Sequence, residues 1–364
     1  MATEFGVNHN LSNKLWAAKL FHEAIAETYF GKFMGKSASS MIQWKDETKK
    51  TAGDRIRIGL RVKLTGTGVQ GDDTLEGQEE DLTTYTQDLL INQIRHATKS
   101  KGKMSEQRVL FDVRQENKDA LADWYAERLD VCMFNQLAGN TAQTDTKYTG
   151  NNATVAPSTN NIIWVDSDVA TGDESLGTTD TFTTAMLDRA LTRAKTMDAL
   201  GQPLIRPINM GGVKGKYVAF LHPYQVYNLR RESTANTVTW WEVNRSALSA
   251  GLDSGQKALY EGSLGEYNNI ILHESNYVPL GVNSVTSAAI STTRRAILCG
   301  AQSACFATGR DESSPDQKMR YVEKEFDYDN SLGVAAGMIF GIQKSRFNSA
   351  DFGTIVMSSY ATTP

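Results

Sequence analysis

Residues 211–216 contain three glycines and two lysines, the residue types with which a phosphate-binding loop holds its ligand. The number of residues between the glycines is wrong for such a loop, and Tyr217 occupies the position of the Ser or Thr that would bind magnesium. The segment also precedes a predicted strand, whereas a phosphate loop leads into a helix. We therefore interpret it as a turn that enters a strand.

The spacing of the histidines does not indicate a metal or acid–base site, because no two of them are close in sequence. A His-Glu-x-x-His pattern, which places two zinc ligands on one helix face, begins at His22 and at His273. Ala26 and Tyr277 occupy the second histidine positions. We therefore expect a surface or half-buried side chain at each of His9, His22, His96, His222 and His273.

Nucleophile and calcium motifs are equally incomplete. Residues 262–265 are one residue short of a Gly-x-Ser-x-Gly elbow, and residues 327–330 lack the Gly and the later Glu of a calcium loop. Cys132, Cys299 and Cys305 lie among apolar or small residues without zinc-ligand spacing, which predicts buried free thiols in a protein made in a reducing cytoplasm. The sequence therefore predicts no enzyme, no metal site and no cofactor.

Two charged clusters lie close together between residues 53 and 100. Cations alternate with apolar residues, which places the cations on one face of a strand and the apolar side chains on the other. The chain then crosses a Gly-rich acidic segment, the tip (residues 65–81), and returns through residues 82–86. We predict a two-stranded ribbon. Its cations are Arg55, Arg57, Arg61 and Lys63, and the acids of its tip are Asp72, Asp73, Glu76, Glu79, Glu80 and Asp81.

This ribbon needs a surface to lie on, because an isolated two-stranded ribbon is marginally stable in water. Three interpretations of the acidic tip are open: a solvated loop, a calcium site, and salt bridges to basic residues of another subunit. We favour the third, because a symmetric assembly repeats each pair and so fixes register and partner choice. The ten charged residues of the ribbon and the tip are thus the predicted intersubunit contacts.

The remaining elements predict an α+β fold, because helices and strands alternate without a regular βαβ repeat. Residues 11–30 predict an amphipathic helix. Residues 105–138 contain neither Pro nor Gly and predict one helix of about 50 Å that ends at Gly139. The polar residues 141–180 predict a surface insertion with one strand at 162–165. Further helices are predicted at 183–200, 223–231 and 302–307, and strands at 217–222, 268–273, 295–299, 319–326, 335–342 and 354–357.

Composition restricts the possible functions further. The chain has 364 residues, a net charge of −4 and an isoelectric point near 5.8, which argues against a dedicated high-affinity nucleic-acid binder. This balance does not exclude a position beside DNA. The first residues lack the basic and apolar regions of a signal peptide, and no apolar run approaches the ~18 residues of a membrane span. We expect neither.

The order of these elements resembles the major capsid proteins of tailed bacteriophages, which share the HK97-like fold, and especially the podovirus-type family. The resemblance covers essentially the whole chain. Its order is a helical arm, a ribbon with an extended tip, a helix of spine length, a mixed α/β region and closing strands. The segments that carry it are 53–58, 85–97, 137–140, 221–223, 270–275 and 300–304.

The resemblance implies a structural subunit that self-assembles as hexamers and pentamers into an icosahedral head around double-stranded DNA. The shell would assemble in the cytoplasm of a bacterial host and become part of the virion. The implied partners are other copies of the chain, a scaffolding protein, a portal and a decoration protein, with non-specific DNA contact and no membrane. The implied domains are an N-terminal arm (1–52), an extended loop (53–100), a peripheral domain with the spine helix and the insertion (101–179), an axial domain (180–310) and a return to the peripheral domain (311–364).

Two departures from relatives change these expectations. Some relatives crosslink a tip lysine to an asparagine of a neighbour, but residues 65–81 contain no lysine, so we expect a non-covalent shell. The first helix is predicted to begin within about a dozen residues of Met1, so we expect scaffolding to be a separate protein. Two alternatives are an encapsulin-type nanocompartment shell and, from another class, an unrecognised hydrolase or ligand-binding domain.

Overall fold

In a computed structural model of the chain, the structure describes residues 28–45, 53–61, 64, 66–109, 112–165, 172–210, 213–232, 263–309 and 319–363. The predicted N-terminal helix lies outside the described residues except for residues 28–30. Among the helices that are described, none is long and apolar enough to cross a membrane.

The described ranges contain four α-helices, eighteen strands and several short 3-10 helices. The α-helices are α1 (Lys103–Gln107), α2 (Val113–Ala138), α3 (Thr184–Lys195) and α4 (Pro223–Arg231). The 3-10 helices are Gly31–Phe33, Thr146–Tyr148, Thr159–Asn161, Asp173–Ser175 and Met197–Leu200. The strands are β1 (Met34–Gly35), β2 (Ile42–Lys45), β3 (Arg55–Arg61), β4 (Thr84–Leu90), β5 (Asn92–Lys99), β6 (Ile162–Trp164), β7 (Ile208–Met210), β8 (Val213–Leu221), β9 (Ser263–Tyr267), β10 (Ile270–Glu274), β11 (Leu280–Val282), β12 (Ala289–Cys299), β13 (Ala304–Thr308), β14 (Met319–Phe326), β15 (Ser331–Lys344), β16 (Arg346–Phe347), β17 (Ala350–Asp351) and β18 (Thr354–Tyr360).

Two large sheets organise the chain, as expected for an α+β fold. The six-stranded sheet has the order β1-β2-β13-β15-β14, and β5 also pairs with β15. The eight-stranded sheet has the order β6-β18-β12-β8-β10-β9, with β11 on β12 and β7 on β8. β5 and β13 belong to the six-stranded sheet, and β18 belongs to the eight-stranded sheet.

The spine helix α2 packs against both sheets. Tyr125 is fully buried, and its hydroxyl donates a hydrogen bond of 2.8 Å to the carbonyl of Ala336 in the six-stranded sheet. Phe134, one turn before the end of the helix, lies 5.7 Å (between ring centroids) from Phe220 in the eight-stranded sheet. One apolar core therefore joins the helix to the two sheets.

The eight-stranded sheet is buried on both faces. Along β8, Val218 and Phe220 join the core around α2, while Tyr217, Ala219 and Leu221 join a second core that contains α3 and α4. A strand covered on both sides reads as a continuous apolar run instead of an alternating one. This explains the run at residues 217–221, which correctly predicts a buried strand.

The predicted single helix at 105–138 is wrong at its start and correct at its end. The structure has two helices, and α2 begins after Asp112, whose side chain accepts a hydrogen bond of 2.9 Å from the backbone N–H of Arg114. This cap satisfies an N–H group that a helix start leaves without a partner. The spine helix is therefore about 39 Å long instead of 50 Å. Gly139 ends it in the left-handed conformation, with φ 62°.

Three further predictions need correction. Residues 302–307 do not begin a helix, because 304–308 form β13, which pairs with β2 and β15 and is buried throughout. The strand predicted at 268–273 begins at Ile270, because Asn268 and Asn269 have φ of 43° and 64° and form the turn of a hairpin with β9. Residues 141–165 and 172–180 do not lie wholly at the surface, since Asn152 and Asn161 are buried and bond to the core strands.

Candidate functional site

The predicted ribbon exists as the pair β3 and β4. The strands run antiparallel from Arg55 opposite Leu90 to Arg61 opposite Thr84, and they form a separate two-stranded sheet. Ile56 is buried, and Arg55 and Arg61 are exposed. The predicted alternation of the two faces is therefore correct.

The base of the ribbon is fixed to the six-stranded sheet. Ile56 packs with Cys305 and Ala307 of β13. The side-chain amide of Asn152 accepts from the N–H of Leu90 at 2.9 Å and donates to its carbonyl at 3.0 Å. One amide therefore satisfies both backbone groups of the last residue of the ribbon. The base of the ribbon is therefore attached to the core by both packing and hydrogen bonds.

One of the predicted contact cations is already paired within the ribbon. Arg57 lies directly opposite Asp88, and its guanidinium donates hydrogen bonds of 2.7 and 3.0 Å to the two carboxylate oxygens. This hydrogen bonding lowers the pKa of Asp88 and raises the pKa of Arg57. Arg55 and Arg61 remain as exposed cations on the same face, and Lys63 lies outside the described residues.

The described part of the tip is exposed except at Val69, which is half-buried, and it has no regular secondary structure. Glu80 accepts a hydrogen bond of 2.6 Å from the N–H of Gly66, and Glu79 accepts one of 2.7 Å from Gly77. These bonds brace the loop internally. The acids Asp72, Asp73, Glu76 and Asp81 are exposed.

Large apolar side chains are exposed beside these acids. Leu64, Leu75 and Leu82 are 55%, 60% and 58% exposed. Within the described residues, no group of three or more His, Cys, Asp or Glu side chains could hold a metal ion. The tip and its flanks therefore present both acidic and apolar side chains to solvent.

The histidines of the described residues have structural positions. His273 is fully buried among aromatic rings, 5.3 Å from Phe33, and burial lowers its pKa to about 3. His222 is buried and caps α4, where Nδ1 accepts from the N–H of Tyr224, and burial lowers its pKa to about 4. The prediction of surface or half-buried histidines is therefore wrong for both. His96 is exposed and stacks on Trp124 at 4.5 Å.

The three cysteines are buried free thiols, as predicted. Burial raises the pKa of Cys132 and of Cys299 to about 12, so both are held as neutral thiols at neutral pH. Cys305 lies under the base of the ribbon, and burial also raises its pKa. These thiols therefore act as small apolar side chains.

Sequence reasoning does not identify two buried ion pairs of the core. Arg295 of β12 donates to the carboxylate of Asp173 at 2.6 Å and to the carbonyl of Gly139 at 3.0 Å, so it ties the eight-stranded sheet to the end of the spine helix. Lys344 of β15 forms a second buried pair, 2.8 Å from Asp351. Asp173 and Gly139 are both more than 100 positions from Arg295, and no local pattern predicts these two contacts.

An open cavity of about 750 Å³ lies between α3 and β6. The guanidinium groups of Arg189 and Arg193 line it and donate to the carbonyls of Val165 and Ile162 at 2.7 and 3.0 Å. Both arginines therefore hold the backbone at β6. Their roles are structural.

Comparison with known proteins agrees with this arrangement. A family model described as "Phage capsid protein" matches residues 4–363. The major capsid protein of Pseudomonas phage KPP25 is 29% identical over 385 residues, covering 97% of this chain and 96% of the relative.

Solved capsids have the same fold. The capsid of Ralstonia phage GP4 matches with a TM-score of 0.77 and 32% identity, over 93% of this chain and 92% of that one. The capsid of cyanophage Pam1 matches with a TM-score of 0.70 and 19% identity, over 93% and 94%, and supports the fold alone. The predicted HK97-like fold is thus confirmed, and neither the nanocompartment nor the hydrolase alternative is supported. The chain therefore belongs to the phage capsid protein family, and it is a structural, non-enzymatic subunit of the virion shell.

Proposed function

We propose that this chain assembles as hexamers and pentamers into a closed icosahedral head around double-stranded DNA. In this proposal the ribbon of each copy lies across a second copy. The observation that carries it is the ribbon itself, which is fixed at its base and paired only between β3 and β4 in the described residues. A two-stranded ribbon of this kind gains stability when it packs on a further surface.

The two sheets fit the two domains that the resemblance implies. We assign the six-stranded sheet and the spine helix to the peripheral domain, and the eight-stranded sheet with α3 and α4 to the axial domain. Arg295 would then connect the two domains, because its guanidinium donates both to Asp173 and to the carbonyl of Gly139 at the end of the spine helix.

We propose that Arg55 and Arg61, the exposed cations of β3, contact the second copy. Lys63, which follows them in the same sequence alternation, is the third proposed contact. Each exposed ion pair contributes only about 0–1 kcal/mol, but a shell repeats the same pair in every copy. Because Arg57 already bonds Asp88, we expect Arg55 and Arg61 to contribute more to the contact.

Other partners follow from the same proposal. A separate scaffolding protein would direct assembly, a portal would occupy one vertex, and a decoration protein would brace a shell whose tip has no lysine for a covalent crosslink. The net charge of −4 suits a wall beside DNA, since a lining that bound DNA tightly would hinder packing and release.

Charge reversal of the ribbon tests this function. We expect Arg55→Glu/Arg61→Glu to lower particle yield, measured by sedimentation and negative-stain microscopy with a scaffolding protein co-expressed, while circular dichroism shows a folded subunit. Arg57 is left unchanged so that its bond to Asp88 stays intact. A matched control, Lys147→Glu/Lys195→Glu, reverses two exposed cations elsewhere and should assemble normally. Wild-type particle yield in the ribbon variant would refute the intersubunit contact.

A further inference from the structure

The six-stranded sheet has two different faces. Along β15, Phe340 and Ile342 point into the core around the spine helix. Gly341 points the other way, and a Cβ atom there would lie 2.1 Å from the carbonyl oxygen of Leu90 at the ribbon base. The ribbon therefore leaves the sheet on the face opposite the spine helix.

The ribbon-side face carries a regular pattern of cations at its other end. β5 and β14 flank β15, and residues directly opposite one another across paired strands project from the same face. Because side chains alternate along a strand, Gly337, Ala335 and Gly333 share the face of Gly341. Across β5, β15 and β14 the three rows are Arg95, Gly337 and Arg320; Ala97, Ala335 and Val322; and Lys99, Gly333 and Lys324.

This arrangement forms two rows of cations around an apolar floor. We call the surface formed by Arg95, Lys99, Arg320 and Lys324 the basic sheet face. All four cations are exposed. The face begins about 14 Å along β15 from Gly341. Because its four cations are exposed, the described part of the ribbon of the same subunit does not cover them.

Local contacts hold these cations in place. The Lys99 and Lys324 ammonium groups lie 4.5 and 5.0 Å from the ring centre of Phe326, which lies over Gly333. The side chain of Arg95 lies against Gly337, where a Cβ atom would be 3.1 Å from its Cγ. Within the described residues, no carboxylate forms an ion pair with Arg95, Lys99 or Lys324.

The tip of a second copy has the complementary pattern. Its acids Asp72, Asp73 and Glu76 surround the exposed Leu75, as the cations of the sheet face surround its apolar floor. Copies in a shell are related mainly by rotations about axes normal to the shell, so a neighbour presents its ribbon on this same side of the sheet. The spine-helix face points to the opposite side and is not available to it.

We propose that the acidic tip of each subunit docks on the basic sheet face of a neighbouring copy. Leu75 would lie on the floor formed by Ala97, Ala335 and Val322, and the acids would pair with Arg95, Lys99 and Lys324. This inference rests on the proposed shell function and names the surface that receives the tip. The surface that receives the tip is therefore the six-stranded sheet of the neighbouring copy and not the cations of another ribbon.

A charge swap tests the contact. The face variant Arg95→Glu/Lys99→Glu/Lys324→Glu and the tip variant Asp72→Lys/Asp73→Lys/Glu76→Lys should each lower particle yield at least about tenfold. The chain with all six substitutions should recover yield to within about threefold of wild type, because the three new cations of the tip then face the three new carboxylates of the sheet face. Folding of each unassembled variant is checked by circular dichroism and thermal unfolding.

The outcomes separate this inference from the proposed function. If wild type forms no particles with a scaffolding protein present, the shell function fails. If wild type assembles but the variant with all six substitutions yields no more particles than the face variant or the tip variant, the docking contact is refuted. Normal assembly of the face variant also refutes it, including the case in which that variant loses only a decoration protein or packaged DNA.

Disulfide trapping provides a second test that does not depend on yield. In assembled particles of the variant Leu75→Cys/Ala335→Cys, oxidation by diamide should link subunits into covalent oligomers on a non-reducing gel. The single variants Leu75→Cys and Ala335→Cys are the controls, since the three native cysteines are buried. Intact particles of the double variant that give no more crosslinking than the single variants would overturn the proposal.

Discussion

Asp130 on the spine helix should make the stability of the subunit depend on pH. Asp130 is 4% exposed, and its carboxylate accepts hydrogen bonds of 2.9 and 3.4 Å from the N–H groups of Tyr29 and Phe30, which fixes this part of the N-terminal arm to the helix. Burial raises the pKa of Asp130 from 3.8 to about 7, although the two N–H groups oppose this shift.

The direction of the effect follows from proton binding. Because the pKa of Asp130 is higher in the folded state, the folded protein keeps a proton between pH 4 and 7 that the unfolded chain releases. The contribution of this group to stability is therefore fully present below about pH 4 and is lost as the pH rises to 7. A difference of about three pKa units at 1.36 kcal/mol each corresponds to about 4 kcal/mol.

The substitution Asp130→Asn keeps an acceptor oxygen and removes the titration. We expect the unfolding free energy of the variant minus that of wild type to rise by about 1.4 kcal/mol per pH unit between pH 4 and 7, and then to level off. The assay is urea denaturation of the unassembled subunit at each pH. Taking the difference cancels the contribution of His273, which is the same in both proteins. Because the pKa of His273 is lowered to about 3, that contribution destabilises the folded state as the pH falls below 6.5.

Asp123, which is exposed on the same helix, supplies the matched control, because Asp123→Asn makes the same substitution at a position that is not buried. A difference for Asp130→Asn that does not change between pH 4 and 7 would refute the reasoning that burial of the Asp130 carboxylate raises its pKa.

Three other substitutions test the core contacts that hold the two sheets and the ribbon. Arg295→Met should cost about 3–5 kcal/mol in urea denaturation, because it leaves the carboxylate of Asp173 buried without its ion pair; an unchanged denaturation midpoint would contradict this. Asn152→Ala should cost about 1–3 kcal/mol and speed hydrogen exchange at the ribbon base, since it removes the clamp on both backbone groups there; unchanged exchange would show that the clamp is dispensable. Gly139→Ala should lower the melting temperature more than Gly201→Ala, because both have positive φ but only at Gly139 would a Cβ meet a carbonyl oxygen at 2.6 Å; equal losses would contradict the steric argument.

The ribbon could be predicted from the sequence because its signal is local. Alternation over residues 55–61 fixes which side chains share a face, and a Gly-rich polar segment marks the turn. The helix–strand error at 302–307 has the opposite cause. Cys305 packs under the ribbon while Phe306 packs under the spine helix, so the strand is apolar on both faces and does not alternate.

The basic sheet face could not be predicted from the sequence. Arg95 and Lys324 lie on strands more than 200 positions apart, and only the register of β15 brings their rows together. In the sequence each belongs to a mixed polar stretch that any exposed strand would have. The pairing of Arg57 with Asp88 was also not visible, because it requires knowing which residue of the return strand lies opposite.

A cryo-electron microscopy reconstruction of particles assembled from the wild-type chain tests the central claim most directly. We predict a closed shell in which each ribbon crosses to an adjacent copy and the acids of its tip lie within about 4 Å of Arg95, Lys99 or Lys324 of that copy. A shell in which every ribbon and tip contacts only its own subunit would contradict the proposed function. A shell in which the tip crosses to a neighbour but lies on another surface would contradict the docking contact.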